Sequence, residues 1–309
     1  MAANPKLPIF VITFQRLSVL KTSLASWRVC LARTPYQLVF CDMNSSYPPL
    51  KQFLQEQKRQ GAAVYFNKTN DPFRNVHNNI KHYFARRTGA NRPKFFVVTD
   101  PDVQLDRVPA HCLEVYKHLL NLNPKVECVG PMLRIDDIPA AYPLKAKVME
   151  RHGHIWRRPT KQAKYGAHPV AYVQFPIDTT FGMYRAHPRT PPHFRFQNGR
   201  RDTKPSLRVK APYAARHLDW YILGNDKMKE DQKTYMKQAS NVAHWGAQWL
   251  RKRPALAARP RVRPGRSSVS RAVRPIRPGR LGRLVRPNRR TPGAKVAQTA
   301  RVARALKRK

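Results

Sequence analysis

Apolar residues fall in short, nearly continuous runs along the first 135 residues. Five stand out: 8–13 (PIFVIT), 37–41 (QLVFC), 62–66 (AAVYF), 94–99 (KFFVVT) and 126–130 (VECVG). Each is rich in β-branched and aromatic side chains with little polar alternation, the pattern of a strand buried on both faces. Segments of helical length separate them. Residues 18–27 open on Ser18, a candidate N-cap, and space Leu20, Leu24 and Trp27 along one face. Residues 48–60, 76–87 and 109–122 carry similar apolar spacings, with Asn75 read as the cap of the third. Strand and helix in alternation predict an α/β fold, with a mostly parallel sheet covered on both faces. Such sheets bind ligands beyond the carboxyl ends of their strands.

The pattern loosens over 131–250. Residues 171–185 read as a strand broken at Pro176, 207–210 as a short strand, 231–238 as a helix, and 244–251 as a closing turn or helix. We read this half as completing the same domain, 1–250. From 251 to 309 apolar periodicity fades, and seven prolines recur in Arg-Pro and Pro-Gly-Arg units. That composition cannot bury enough surface to offset ordering entropy and is expected to be disordered.

Charge adds a second contrast. The formal net charge is +43, from 60 Lys+Arg against 17 Asp+Glu. Residues 251–309 hold 21 of those basic side chains and no acid, yet the remaining chain is still basic. A surface of this sign attracts polyanions or phosphorylated ligands without choosing among them. The four cysteines, Cys30, Cys41, Cys112 and Cys128, show no metal-site or CxxC spacing. Two of them sit in apolar runs, as buried reduced thiols do. No signal-peptide pattern opens the chain, and no stretch approaches the ~20 apolar residues of a membrane span. A soluble protein of the cytoplasm or of a virion is the expectation.

Candidate chemistry lies at the strand ends. The runs finish in Thr13-Phe14-Gln15-Arg16, Asp42-Met43-Asn44-Ser45-Ser46, Asn67-Lys68-Thr69-Asn70-Asp71 and Thr99-Asp100-Pro101-Asp102. By itself Asp-Pro-Asp reads as a turn. Directly after a buried strand, two carboxylates one residue apart form a hard-oxygen site that suits Mg²⁺ or Mn²⁺ and a diphosphate. The first strand is followed by TFQRLS, not by a glycine-rich turn, which argues against a dinucleotide fold.

These segments resemble the GT-A-fold glycosyltransferases of the family 2 type, particularly bacterial and large-DNA-virus members. The resemblance covers about 7–250. It rests on PIFVITFQR, LVFCDMNSS and VVTDPDVQLD, and on the later GPMLRIDDIP, PIDTTFGMYR and APYAARHLDWY. It implies a GT-A (Rossmann-like) domain, with about 1–130 binding the nucleotide sugar and 131–250 facing the acceptor. It also implies a UDP- or GDP-type donor and a glycan or protein acceptor. Thr13, Arg16, Asp42 and Asn67 would line the nucleotide pocket. Asp100 would face ribose or metal, Asp102 would be the main metal ligand, and His217 would add a metal or diphosphate contact. Inverting transfer needs a general base. Asp178 is the first candidate, with Asp137, its neighbour Asp136, and Asp219 behind it. No Glu-Asp pair stands where the family pattern has one. The rival reading is a nucleic-acid-binding or virion-associated basic protein that works through the Arg-rich tail.

Overall fold

Every residue of the first strand, β1 (Leu7–Thr13), is buried. Its side chains alternate between two cores. Leu7, Ile9 and Val11 join Leu20, Leu24 and Trp27 on one face, while Phe10 and Ile12 join Val76, Ile80, Tyr83 and Phe84 on the other. The period of two along a pleated strand produces this division. It explains why the run carries no polar alternation: both sides are core. A computed structural model describes residues 5–177, 179–186, 205–224 and 227–238.

The chain continues through α1 (Leu17–Cys30), β2 (Tyr36–Asp42), α2 (Pro48–Arg59), β3 (Ala63–Phe66), α3 (Pro72–Ala85), β4 (Phe95–Thr99) and the two-residue β5 (Val103–Gln104). Next come α4 (Cys112–Leu122), β6 (Cys128–Pro131), α5 (Lys145–Trp156), β7 (Lys161–Tyr165), β8 (His168–Gln174), β9 (Gly182–Arg185), β10 (Ser206–Val209), β11 (Arg216–His217) and α6 (Glu230–Gln238). One nine-stranded sheet runs β3-β2-β1-β4-β9-β6-β10-β8-β7. The strands β3, β2, β1 and β4 are mutually parallel, whereas β9 is antiparallel to both its neighbours and β8 to both of its own. The expected α/β architecture is present, with a large, mostly parallel sheet flanked by helices.

Helices α1 and α2 bury Leu20, Leu24, Leu50 and Leu54 in one core, and α3 buries Val76, Ile80 and Phe84 in the other. The chain therefore changes face between β3 and β4, and β4 lies on the far side of β1 from β2. That reversal makes the carboxyl ends of β1 and β4 a topological switch point.

Several local expectations shift. Helix α3 begins at Pro72, and its cap is Asp71, whose side chain accepts from Arg74 N, rather than Asn75. Pro72 needs no amide partner there, which favours the earlier start. Helix α1 begins at Leu17, and Ser18 does not cap it. Instead Ser18 N and Oγ donate to the Asp231 carboxylate at 2.5 and 3.1 Å, so α6 supplies the anion for this helix end. Helix α5 and strand β7 were not foreseen. Only Val148, Gly153 and Ile155 are buried on α5, and β7 (KQAKY) is a largely exposed edge, so neither carries an apolar signal. The expected element at 244–251 and the tail at 251–309 lie outside the described residues.

A second, two-stranded sheet pairs β5 with β11, matching His217 to Val103 and Arg216 to Gln104. Helix α1 pins β5 from below: Trp27 Nε1 donates to Val103 O at 2.9 Å, and Leu105 N donates to Ser26 Oγ at 3.0 Å. Trp27→Phe keeps most of the ring but strands that carbonyl. Urea denaturation is expected to show a loss of about 1–3 kcal/mol. Unchanged stability would mean that this bond does not hold β5 to α1.

Candidate functional site

The turn after β1 starts the site. Gln15 takes φ 61°, a left-handed value that an L-residue adopts only when its surroundings impose it. Its side chain supplies the reason. Gln15 Oε1 accepts from Ser46 N at 3.1 Å and Tyr47 N at 2.8 Å, while Nε2 donates to Ser46 Oγ and to Gln238 Oε1. The clamp joins the ends of β1 and β2 to α6. It also sends the next side chain, Arg16, inward.

Arg16 is buried, and its Nη1 donates to Asp102 Oδ2 at 2.8 Å and to Asp219 Oδ2 at 3.0 Å. The Tyr235 ring of α6 covers the guanidinium, 4.1 Å from its centroid. Both carboxylates are buried, Asp102 at 1% exposure and Asp219 at 4%. The β5–β11 pairing brings the two segments together, since Leu218 N donates to Asp102 O at 2.8 Å directly after His217. His217 Nδ1 lies 3.5 Å from Asp102 Oδ2, and its ring stacks on Trp220 at 5.0 Å.

The electrostatics of the two carboxylates diverge. Burial pushes Asp102 up, but Arg16 and then His217 outweigh it and hold the carboxyl below its ordinary value. Burial dominates at Asp219 and raises it despite Arg16, with the neighbouring charge of Asp102 adding to the rise. Arg16 is held firmly charged: burial alone would lower it, but Asp102 and the other surrounding groups together raise it. One guanidinium thus faces two carboxylates. Asp102 Oδ1, Asp219 Oδ1 and His217 Nδ1 are buried without a hydrogen-bond partner. Such orphaned atoms are costly. Asp102, His217 and Asp219 can each offer a ligand atom, all within 4.8 Å of one another, so the cluster could hold a metal ion. Two carboxylate oxygens and an imidazole nitrogen suit a divalent cation.

The other residues singled out from the sequence fall nearby or apart. Asp42 is buried and accepts from Ser45 Oγ at 2.5 Å, Ser45 N at 3.1 Å and Thr13 Oγ1 at 3.4 Å. Burial raises its pKa against those bonds. Asn67 donates from Nδ2 to Asp42 O at 2.9 Å, so it ties β3 to β2 through the backbone. Asp100 accepts from Thr179 Oγ1, and its amide donates to Thr179 O at 2.7 Å. Asp137 sits in a separate group, accepting from Arg216 Nε at 2.6 Å and Tyr221 Oη at 2.5 Å, with Arg134 at 3.3 Å. Its neighbour Asp136 pairs with Arg134. Asp178 lies outside the described residues. Sequence reasoning missed Gln15, Ser45, Asp231 and Tyr235. Ser45 and Gln15 stood inside quoted strand-end segments, but their partners lie in other segments.

All four cysteines are free and buried, and burial pushes the Cys41 thiol up to about 12, which leaves it unsuited to nucleophilic work. A cleft of about 540 Å³ opens among the first residues of β1 and β4, at Leu7, Lys94 and Phe95. It lies at the opposite ends of these strands from the carboxylate cluster. No helix among the described residues is long and apolar enough to cross a membrane.

Fold and site define an α/β protein with a carboxylate–imidazole cluster, crossed by a buried arginine, at the switch point of its sheet. Neither a protein-family model nor a curated protein matches the chain. Among solved structures, S. aureus TarS aligns at 12% identity with a TM-score of 0.35, covering 58% of this chain and 28% of that one. A likeness this slight carries no argument here.

The pKa directions yield a pH test. The lowered native value of Asp102 stabilises the fold in full above the unfolded value, near 3.9, and this is lost as pH falls through the native value below it. Asp102→Asn removes one of the two carboxylates that Arg16 bonds and leaves Asp219 as its partner, a loss of about 1–3 kcal/mol at neutral pH. Urea titrations are expected to show that deficit at pH 7 and to show it narrowing as pH falls below about 4. A deficit that widens in acid would contradict an ionised Asp102.

Proposed function

We propose that this protein is a metal-dependent glycosyltransferase that moves a sugar from a nucleoside-diphosphate donor to an acceptor hydroxyl, with inversion. The observation that carries the reading is the meeting of Asp102, His217 and Asp219 at the switch-point edge, beside the ends of β1 and β2. The resemblance of the strand-end segments to family 2 glycosyltransferases agrees with it.

In this reading Thr13 and Asp42 hold the nucleoside, with Asn67 keeping the β2–β3 end in place. Asp100, Asp102, His217 and Asp219 form the diphosphate side. A divalent cation bound there, Mn²⁺ or Mg²⁺, would offset charge on the departing diphosphate. Asp102 is suited to the ligand role because it stays ionised. We assign the general base to Asp178. Asp137 is already engaged by Arg216 and Tyr221, and Asp219 by Arg16. The chain neighbour of Asp178, Thr179, is bonded to Asp100 at the same edge. The donor is of UDP or GDP type and the acceptor a glycan or protein hydroxyl.

A thermal-shift screen of UDP and GDP with and without Mn²⁺ tests the class. The expected result is stabilisation by one nucleotide only when metal is present, about 2.7 kcal/mol at a hundredfold excess over Kd. Asp102→Asn, which preserves the shape of the side chain, should abolish the metal-dependent part and sugar transfer with it. Equal shifts without metal, or full transfer by Asp102→Asn, would sink the reading.

The charge of residues 251–309 favours a second role, weak polyanion binding by the tail. A chain ending at Leu250 should bind DNA several-fold more weakly at low salt than the full chain. Equal binding by the two would remove that role.

A further inference from the structure

A divalent cation and a guanidinium make the same demand on a pair of carboxylates. In this fold Arg16 already meets it, bonding one oxygen of Asp102 and one of Asp219 from a buried position. Three features keep the arginine there. Its backbone is set by the left-handed turn at Gln15 and by the start of α1. Its guanidinium is covered by Tyr235. The helix that carries Tyr235 is anchored at both ends, through Asp231 to Ser18 and through Gln238 to Gln15. Arg16 leaves each carboxylate one unpartnered oxygen, so the pair is only half satisfied.

We propose that Arg16 is the resting counter-cation of the Asp102–Asp219 pair and opposes divalent-cation binding there, with Tyr235 holding it in opposition. This rests on the metal-binding reading of the cluster. The arginine is a positioning residue: it sets the affinity of the site for metal and keeps the carboxylates compatible with burial when no metal is bound. Like charges a few ångströms apart repel by several-fold to many-fold in affinity even under strong screening. Loosening Arg16 therefore tightens metal binding. Metal binding in turn loosens the contact of Arg16 with Tyr235 and so the grip on α6, because coupling between two sites is reciprocal.

The test is a titration of the full chain with Mn²⁺ alone, reading free Mn²⁺ by electron paramagnetic resonance. Arg16→Gln should lower Kd about tenfold or more. Tyr235→Leu should lower it by a smaller factor, and Asp102→Asn should remove the site in either background. Methylguanidinium added to Arg16→Gln should weaken Mn²⁺ binding again while leaving the parent protein unaffected, a rescue that a merely structural role would not produce. Arg16→Gln or Tyr235→Leu binding Mn²⁺ no more tightly than the parent, with native circular dichroism, would overturn the proposal while leaving the metal site standing. Should Arg16→Gln fail to fold, Tyr235→Leu, which leaves every charge in place, decides the matter by the same measure. If neither the parent nor any variant binds Mn²⁺, the metal reading fails, and this proposal with it.

Discussion

The buried guanidinium of Arg16 is the interaction on which the arrangement of the site depends. It reaches Asp102 and Asp219, 86 and 203 residues away in sequence, and lies under a ring from α6. Four parts of the chain thus converge on one side chain: the end of β1, the turn after β4, the segment after β11, and the last described helix. Burying three charges carries a desolvation cost that attraction repays only with good geometry. Two bonds at 2.8 and 3.0 Å meet part of that demand, and the orphaned Asp102 and Asp219 oxygens leave part unmet. A cluster built for stability alone would be better served by apolar side chains of similar volume.

The sheet makes this convergence feasible. Because β1 is packed on both faces, its polar neighbours have room only at the strand end. There the chain changes face between β3 and β4, the point at which open α/β sheets have room for a ligand. A small ladder then completes what the large sheet begins. The pairing of β5 with β11 involves two residues from each strand, yet it carries His217 and Asp219 to Asp102. Trp27 holds the lower side of that ladder, so the core of α1 and the placement of Asp102 are mechanically one feature.

The sequence made the nucleus of the fold legible for a physical reason. Strands buried on both faces must be apolar throughout, and β1, β2 and β4 match the runs read from the chain to within one or two residues. The edge elements were illegible for the converse reason: α5 and β7 are basic and mostly exposed, so no periodicity marks them. The same limit applied at the site. Asp102 stood out because it follows a buried strand. Arg16 was visible as a strand-end residue but not as a partner of Asp102, because its direction depends on the left-handed turn that Gln15 adopts to bond Ser46 and Tyr47. Asp219 and His217 could be named as candidates, but their meeting with Asp102 depends on a ladder too short to leave a pattern.

Charge gives the site its direction. The chain carries +43 overall, yet Asp42, Asp100, Asp102, Asp219 and Asp231, five of its 17 acids, gather where the strands end. At long range the basic surface draws an anion toward the protein. At short range the anion meets Asp102, held ionised by Arg16, beside Asp219, whose pKa burial raises. On the proposed reading, a phosphate-bearing ligand would settle at this edge only if further positive charge arrived with it or before it. Selectivity on that reading would follow from simple electrostatics: a bare anion would be attracted but not retained, whereas one bringing a divalent cation would meet the buried Asp102 and Asp219 oxygens that Arg16 does not bond.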